Sequence, residues 1–160
     1  MRRYKVAFYV SLLALIGLFI VQASRESSGY AQAFRTNLNE AIQANSTFRM
    51  TDVANFEWDR MYRIDPYMPR EAIEEIIGTK LKGSAELTDE LFYQLIFVKE
   101  DEVVLNIIMD GITADFSSSK RMTERAASLF RIEKIPDAYA ADRETVLIHN
   151  VMEGDLAAKE

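Results

Sequence analysis

No cysteine occurs in the chain, and histidine and tryptophan occur once each, as His149 and Trp58. The missing cysteine excludes disulfides, a thiolate nucleophile, thiolate-bound zinc and a lipid-modified N-terminal cysteine. It also leaves the redox compartment unread. A single histidine rules out multi-histidine metal sites and gives a histidine-activated nucleophile only one possible base. His149 lies in an alternating apolar run and reads as a strand position. Glycine is sparse, at six residues, and neither a glycine-rich phosphate loop nor a Gly-x-Ser-x-Gly elbow occurs. None of these patterns implies a cofactor. Clustered basic residues are also wanting. Before Arg25 the only charges are Arg2, Arg3 and Lys5; without them 16 basic and 25 acidic residues remain, a net of −9 against −6 for the whole chain. So acidic a domain lacks the Lys and Arg clusters that neutralise nucleic-acid phosphates. Anionic lipid headgroups repel it too, apart from its N-terminus.

What is present is clearest at that N-terminus. MRRYK is followed by VAFYVSLLALIGLFIV, sixteen uncharged and mostly apolar residues, then QAS. A helix over residues 6–23 spans about 27 Å at 1.5 Å per residue, close to the roughly 30 Å of a hydrocarbon core. Two readings compete. One is an uncleaved membrane anchor, favoured by Tyr4, Tyr9 and the continuous Leu/Ile/Phe run. The other is a signal peptide cleaved after Val21-Gln22-Ala23. A buried core helix fits neither the position nor the flanks. Arg2, Arg3 and Lys5 hold the N-terminus inside, so both leading readings export the rest of the chain. The expectation is a single-pass protein of the cytoplasmic (inner) membrane, its domain outside and residues 6–23 in the bilayer. If cleaved, it is periplasmic or secreted.

The remainder divides into a linker and helix at 24–45, a domain at 46–151 and a flexible acidic tail at 152–160. SRESSG is small and polar. Phe34, Leu38, Ala41 and Ile42 recur at helical spacing, so Tyr30 to Gln43 reads as an amphipathic helix, docked on the domain or standing as a stalk. Asn45-Ser46-Thr47 matches a glycosylation sequon and reads as a polar turn. LFYQLIFV and VVLNIIM flank the charged KEDE, which predicts an antiparallel hairpin with two apolar faces. SSSKRMTERAASLFRIEK predicts a loop or short helix leading into a strand near Leu129 to Glu133. ETVLIHNV predicts a last strand. Together these give an α+β fold, with an antiparallel sheet of about five strands and one or two packed helices.

Residues 56–70, FEWDRMYRIDPYMPR, are the densest stretch. On a strand Phe56, Trp58, Arg60, Tyr62 and Ile64 share one face. Arg60 is the misfit there: it must find a partner, stack on an aromatic ring, or be turned away by a bulge near Asp59. Pro66 ends the strand. Pro69 suits the first position of a helix with Met68 as N-cap, Ile73, Ile76 and Ile77 form its buried face, and Gly78 suits its left-handed C-terminal cap. The pattern F-x-W-D-x-M-Y-x-x-x-P-Y-x-P, with the acidic helix and the later hairpin, resembles a group of small bacterial membrane-anchored proteins and lipoproteins of unknown function. The resemblance covers residues 48 to 134 and is most specific in W-D-x-x-Y-x-x-x-P-Y. It implies an anchored topology and brings no catalytic assignment. The chain departs from the lipoprotein members in lacking a cysteine, so its anchoring must be proteinaceous.

Chemistry is sparse. Asp110 and Asp115 bracket GITA without the ligand spacing of a calcium loop and read as a turn. Glu57 and Asp65 are the one carboxylate pair weighed as general acid and base. Trp58, Arg60, Tyr62 and Tyr67 are either core and corner packing or a partner-binding surface. The leading expectation is a non-enzymatic, membrane-anchored extracytoplasmic module that binds a protein. The alternatives are an inhibitor or immunity-type protein meeting a basic target, and a small carboxylate-dependent hydrolase.

Overall fold

A run of strand-forming residues on either side of a charged turn folds back on itself, and the computed structural model shows the chain assembled around that hairpin. It describes residues 28–82, 86–136 and 144–151. The expected anchor (6–23) and tail (152–160) lie outside the described residues. Among those described, no helix is long and apolar enough to cross a membrane. In chain order the elements are helix α1 (28–44), strand β1 (Thr47–Arg49), one-turn helix α2 (Met50–Val53), β2 (Arg60–Ile64) and α3 (Arg70–Ile77). Then come β3 (Phe92–Lys99), β4 (Glu102–Asp110), β5 (Met122–Glu124), a 3-10 turn (Arg125–Ala127), β6 (Leu129–Pro136) and β7 (Glu144–Asn150).

The fold is α+β, but the expected single sheet is two antiparallel sheets, a four-stranded one ordered β4-β3-β2-β5 and a three-stranded one ordered β1-β6-β7. The physical reason lies in β3, which is apolar on both sides and needs two covers. Tyr93, Leu95 and Phe97 point into the larger core, where Phe34, Leu38 and Ile42 of α1 meet Phe48, Phe130 and Ile148 of the smaller sheet. Ile96 and Val98 point the other way, into a smaller core with Tyr62 and Ile64 of β2 and Ile73 and Ile77 of α3. A bulge keeps β4 in step: Phe97 pairs with Leu105 and Val98 with Val103, leaving Val104 as the extra residue. Leu105 therefore joins the larger core and Val103 the smaller.

Helix α1 docks on the domain and does not stand off as a stalk. Burying each of Phe34, Leu38 and Ile42 contributes about 1.5–3 kcal/mol. Arg35 reaches from α1 to the outer edge of β4, where its Nη2 donates to the Ile108 carbonyl at 2.5 Å. Helix α3 starts at Arg70 with Pro69 as its N-cap, one residue later than expected, and ends on Gly78 at φ 74°, whose N–H returns to the Glu74 carbonyl. The Glu74 carboxylate then receives Lys80 Nζ at 2.6 Å and the Leu81 N–H at 3.1 Å, turning the chain away from the helix. Strands β6 and β7 are where the sequence places them; β5 and α2, three and four residues long, are too short for a periodic signal.

Candidate functional site

The stretch 56–70 spans the four-stranded sheet and ends at its two opposite edges of chemistry. Its first half builds the end that carries the β3–β4 turn. Phe56 and Trp58 both meet Phe97 edge-on, with ring centroids 5.2 and 5.4 Å apart. Trp58 is 0 % exposed. Arg125 lies over its ring at 5.6 Å and donates to the Phe56 and Trp58 carbonyls at 3.3 Å each. Asp59 accepts the Glu100 N–H at 2.6 Å, and Arg60 Nη2 donates to the Glu100 carbonyl at 2.8 Å. The Thr79 hydroxyl donates to the Asp101 carbonyl. Side chains from three other places in the sequence thus hold a two-residue turn whose first member, Glu100, sits at φ 52°.

The shared face expected for residues 56, 58, 60, 62 and 64 does not survive. Phe56, Trp58 and Met61 enter the larger core, Tyr62 and Ile64 the smaller. The break falls at Asp59–Arg60, where the chain first joins the sheet through the Asp59 N–H and the Val98 carbonyl at 2.8 Å. Arg60 resolves its conflict by stacking 6.0 Å from the Tyr62 ring centroid and donating to the Tyr62 hydroxyl at 3.2 Å. Of the four residues weighed as a partner surface, Trp58 and Tyr62 are buried, Arg60 is half-buried and clamps the turn, and only Tyr67 is open, at 60 % exposure. Tyr67 occupies the left-handed region at φ 64° in the proline corner, its N–H bonded to the Leu87 carbonyl at 2.6 Å.

The other candidates are not brought together. Glu57 pairs with Lys99 at 3.4 Å at one end of β2; Asp65 pairs with Arg63 at 2.5 Å and Arg121 at 3.2 Å at the other. Strand β2 lies between them, and its five residues alone span roughly 13 Å, beyond the separation a glycosidase pair uses. His149 Nε2 lies 3.2 Å from Glu133, across from Arg131 in the β6–β7 ladder. Asp110 accepts the Ile112 and Thr113 N–H groups, and Asp115 the Ser117 N–H, so both carboxylates cap turns. Among the described residues, no group of three or more His, Asp or Glu is placed to hold a metal ion. Tyr93 is buried with its hydroxyl on the Ala114 carbonyl, and burial pushes its phenol well above the usual range.

A different surface emerges at the end of the sheet away from the Glu100 turn. There β2 runs out into the corner bearing Tyr67, β3 begins and β4 ends. Leu91 is 60 % exposed and receives the Gly111 N–H on its carbonyl at 2.9 Å, which brings the turn that carries Ile112 up to it. Phe92 faces Asp110, and Ile108 lies diagonally across on the same side of the sheet. Tyr67, Leu91, Phe92, Ile108 and Ile112 are five exposed large apolar residues gathered at one end. Exposed Glu86, Asp89 and Glu90, with half-buried Asp110, rim them. Sequence reasoning singled out Tyr67 alone. The available signal was Ile112, a β-branched apolar residue inside a turn, where packing gives it no reason to be.

The opposite end presents charge around the turn, with Glu57, Lys99, Glu100, Asp101 and Glu102. The first described turn of α1 lies at that charged end, Tyr30 packing 5.1 Å from Phe56. A scan of protein-family models finds no match for this chain, and neither the curated proteins nor the solved structures hold one.

Proposed function

We propose that this chain is a membrane-anchored extracytoplasmic protein-interaction module without catalytic activity of its own, and that the apolar end of its four-stranded sheet is the binding surface. The observation that carries this reading is the gathering of Tyr67, Leu91, Phe92, Ile108 and Ile112 at one end while the other end is charged. Contiguous exposed apolar side chains rimmed by polar ones are the usual mark of a protein contact, and an aromatic at the centre is the usual anchor. The N-terminal apolar run over residues 6–23 supports anchoring, and Arg2, Arg3 and Lys5 support an exported domain. The resemblance to small bacterial membrane-anchored proteins points the same way. The first described turn of α1 lies at the charged end, opposite the apolar one. The wide separation of Glu57 and Asp65 speaks against the hydrolase reading. The acidic rim keeps the inhibitor-like reading as a special case of the same surface.

The test is a paired capture from solubilised membranes with the intact chain and its Leu91→Ser/Phe92→Ser variant, alongside protease treatment of sealed vesicles. A partner retained by the wild type and lost by the variant, with the domain cut only from the non-cytoplasmic side, supports the reading. Identical captured sets, or cutting from the cytoplasmic side, would sink it.

A further inference from the structure

We infer that the apolar end takes a segment of a second protein in which lysines or arginines flank apolar anchors; the inference rests on the binding surface proposed above and names the chemistry of its partner. Three kinds of occupant compete for such a surface: a lipid leaflet, a second copy of this chain, and a different protein. The charges decide among them. Glu86, Asp89, Glu90 and Asp110 all lie within a few residues of Leu91, Phe92 or Ile112. The described cations at the same end of the sheet are engaged elsewhere or, like exposed Lys120 ahead of β5, lie on the far side of the sheet from β4. Arg63 and Arg121 are both bound to Asp65 on the β2–β5 side, two strands from β4. Arg70 pairs with Glu74 at 3.6 Å. Arg35 donates to the Ile108 carbonyl and, among the described residues, is the cation bonded at the apolar group itself.

A leaflet rich in anionic lipid repels four carboxylates at its surface, and the first described turn of α1 lies at the opposite end. A second copy would set one acidic rim against another in a chain whose residues after Lys5 carry a net of −9, and like charges facing across an interface oppose association. A basic partner removes both objections. Its apolar side chains cover Leu91, Phe92 and Ile112 while its cations meet the rim, where exposed charges speed and orient encounter and weaken with salt. The surface lies on a strand start, a strand end and a turn, all held by the sheet, so no rearrangement of this chain is required.

The experiment places a photoreactive residue at Ile112 in the full-length chain in its native membranes and maps the attached peptide by mass spectrometry. The rim is tested with Glu86→Lys/Glu90→Lys, two exposed residues neither of whose side chains caps a turn among the described residues. Asp89 and Asp110 are left alone because they cap the Leu91 and Thr113 backbones. The expected result is an adduct to a segment carrying Lys or Arg around apolar residues. Its yield should fall about tenfold in the charge-reversed variant and again at high salt. An adduct to an acidic or uncharged segment, or a yield indifferent to charge reversal, overturns the inference and leaves the binding surface standing. An adduct to lipid or to this chain overturns it likewise. No protein adduct from Ile112 or from a second position at Tyr67 overturns the surface and the inference together.

Discussion

The Asp59 carboxylate holds the backbone N–H of Glu100 at 2.6 Å across 41 residues of sequence. This bond, with Arg60 on the carbonyl of the same residue, explains why an acidic and a basic residue follow Trp58 on the way into the sheet. They stabilise a turn residue in the left-handed region, a conformation that costs a non-glycine residue about 1–2 kcal/mol.

Removing the acceptor should therefore matter more than removing the side chain of Glu100, whose backbone N–H it serves. Asp59→Ala is expected to lower stability by about 1.5–3 kcal/mol, the range for a hydrogen bond to a charged group. Glu100→Gly should leave stability unchanged or raise it by up to about 1 kcal/mol, because glycine adopts positive φ without strain. Urea denaturation followed by the fluorescence of Trp58, the chain's only tryptophan, measures both. A larger loss for Glu100→Gly than for Asp59→Ala would contradict the clamp.

Within the same stretch the aromatics should separate by burial. Trp58→Ala deletes a fully buried ring from among Phe97 and Arg125 and should cost about 3–5 kcal/mol. Tyr67→Ala, at an exposed corner, should stay within about 0.5 kcal/mol of wild type. Calorimetric melting resolves the pair, and a near-zero shift for Trp58→Ala would refute the architectural role of the motif's first half.

Acid titration should isolate Glu74. The Lys80 ammonium hydrogen-bonded to it, and next the Leu81 N–H, hold its carboxyl below the ordinary value of 4.5. A lowered folded pKa means that the unfolded chain takes up the proton first as the pH drops. The contribution is thus fully present above about pH 4.5 and lost as the pH falls through the folded value. The stability gap between wild type and Glu74→Gln should be open at about pH 7 and narrow as the pH falls below about 4.5. A gap independent of pH would remove Glu74 from the linkage.

Alkali should find Tyr93. Burial raises the phenol in the fold, so the folded state favours the protonated form. Stability from this source is intact below the unfolded value near 10 and declines as the pH rises above it. Tyr93→Phe should cost about 1 kcal/mol at neutral pH by leaving the Ala114 carbonyl unpaired, yet show a shallower alkaline decline. Parallel declines for the two proteins would assign the alkaline transition to another group.

How much of this was legible beforehand follows from the range of each signal. The β3–β4 hairpin, the amphipathic helix with Phe34, Leu38 and Ile42, the stop at Pro66 and the glycine cap at Gly78 each depend on about twenty neighbouring residues or fewer. Side-chain period, proline geometry and glycine's freedom at positive φ act at that range, so the chain determined these elements by itself. The acidic charge and the apolar N-terminal run are properties of composition and needed no fold. The tertiary structure decided what depends on distant partners. Alternation in β3 announced two apolar faces, but only assembly showed that β1, β6 and β7 would cover one of them as a separate sheet and α3 the other. The switch of face between Trp58 and Tyr62 arises where Asp59 meets Val98 and Glu100, contacts about 40 residues away that no local period encodes. The exposed end was hidden for the same reason: Leu91 and Ile112 lie on different strands and become one surface only when β3 and β4 pair in register.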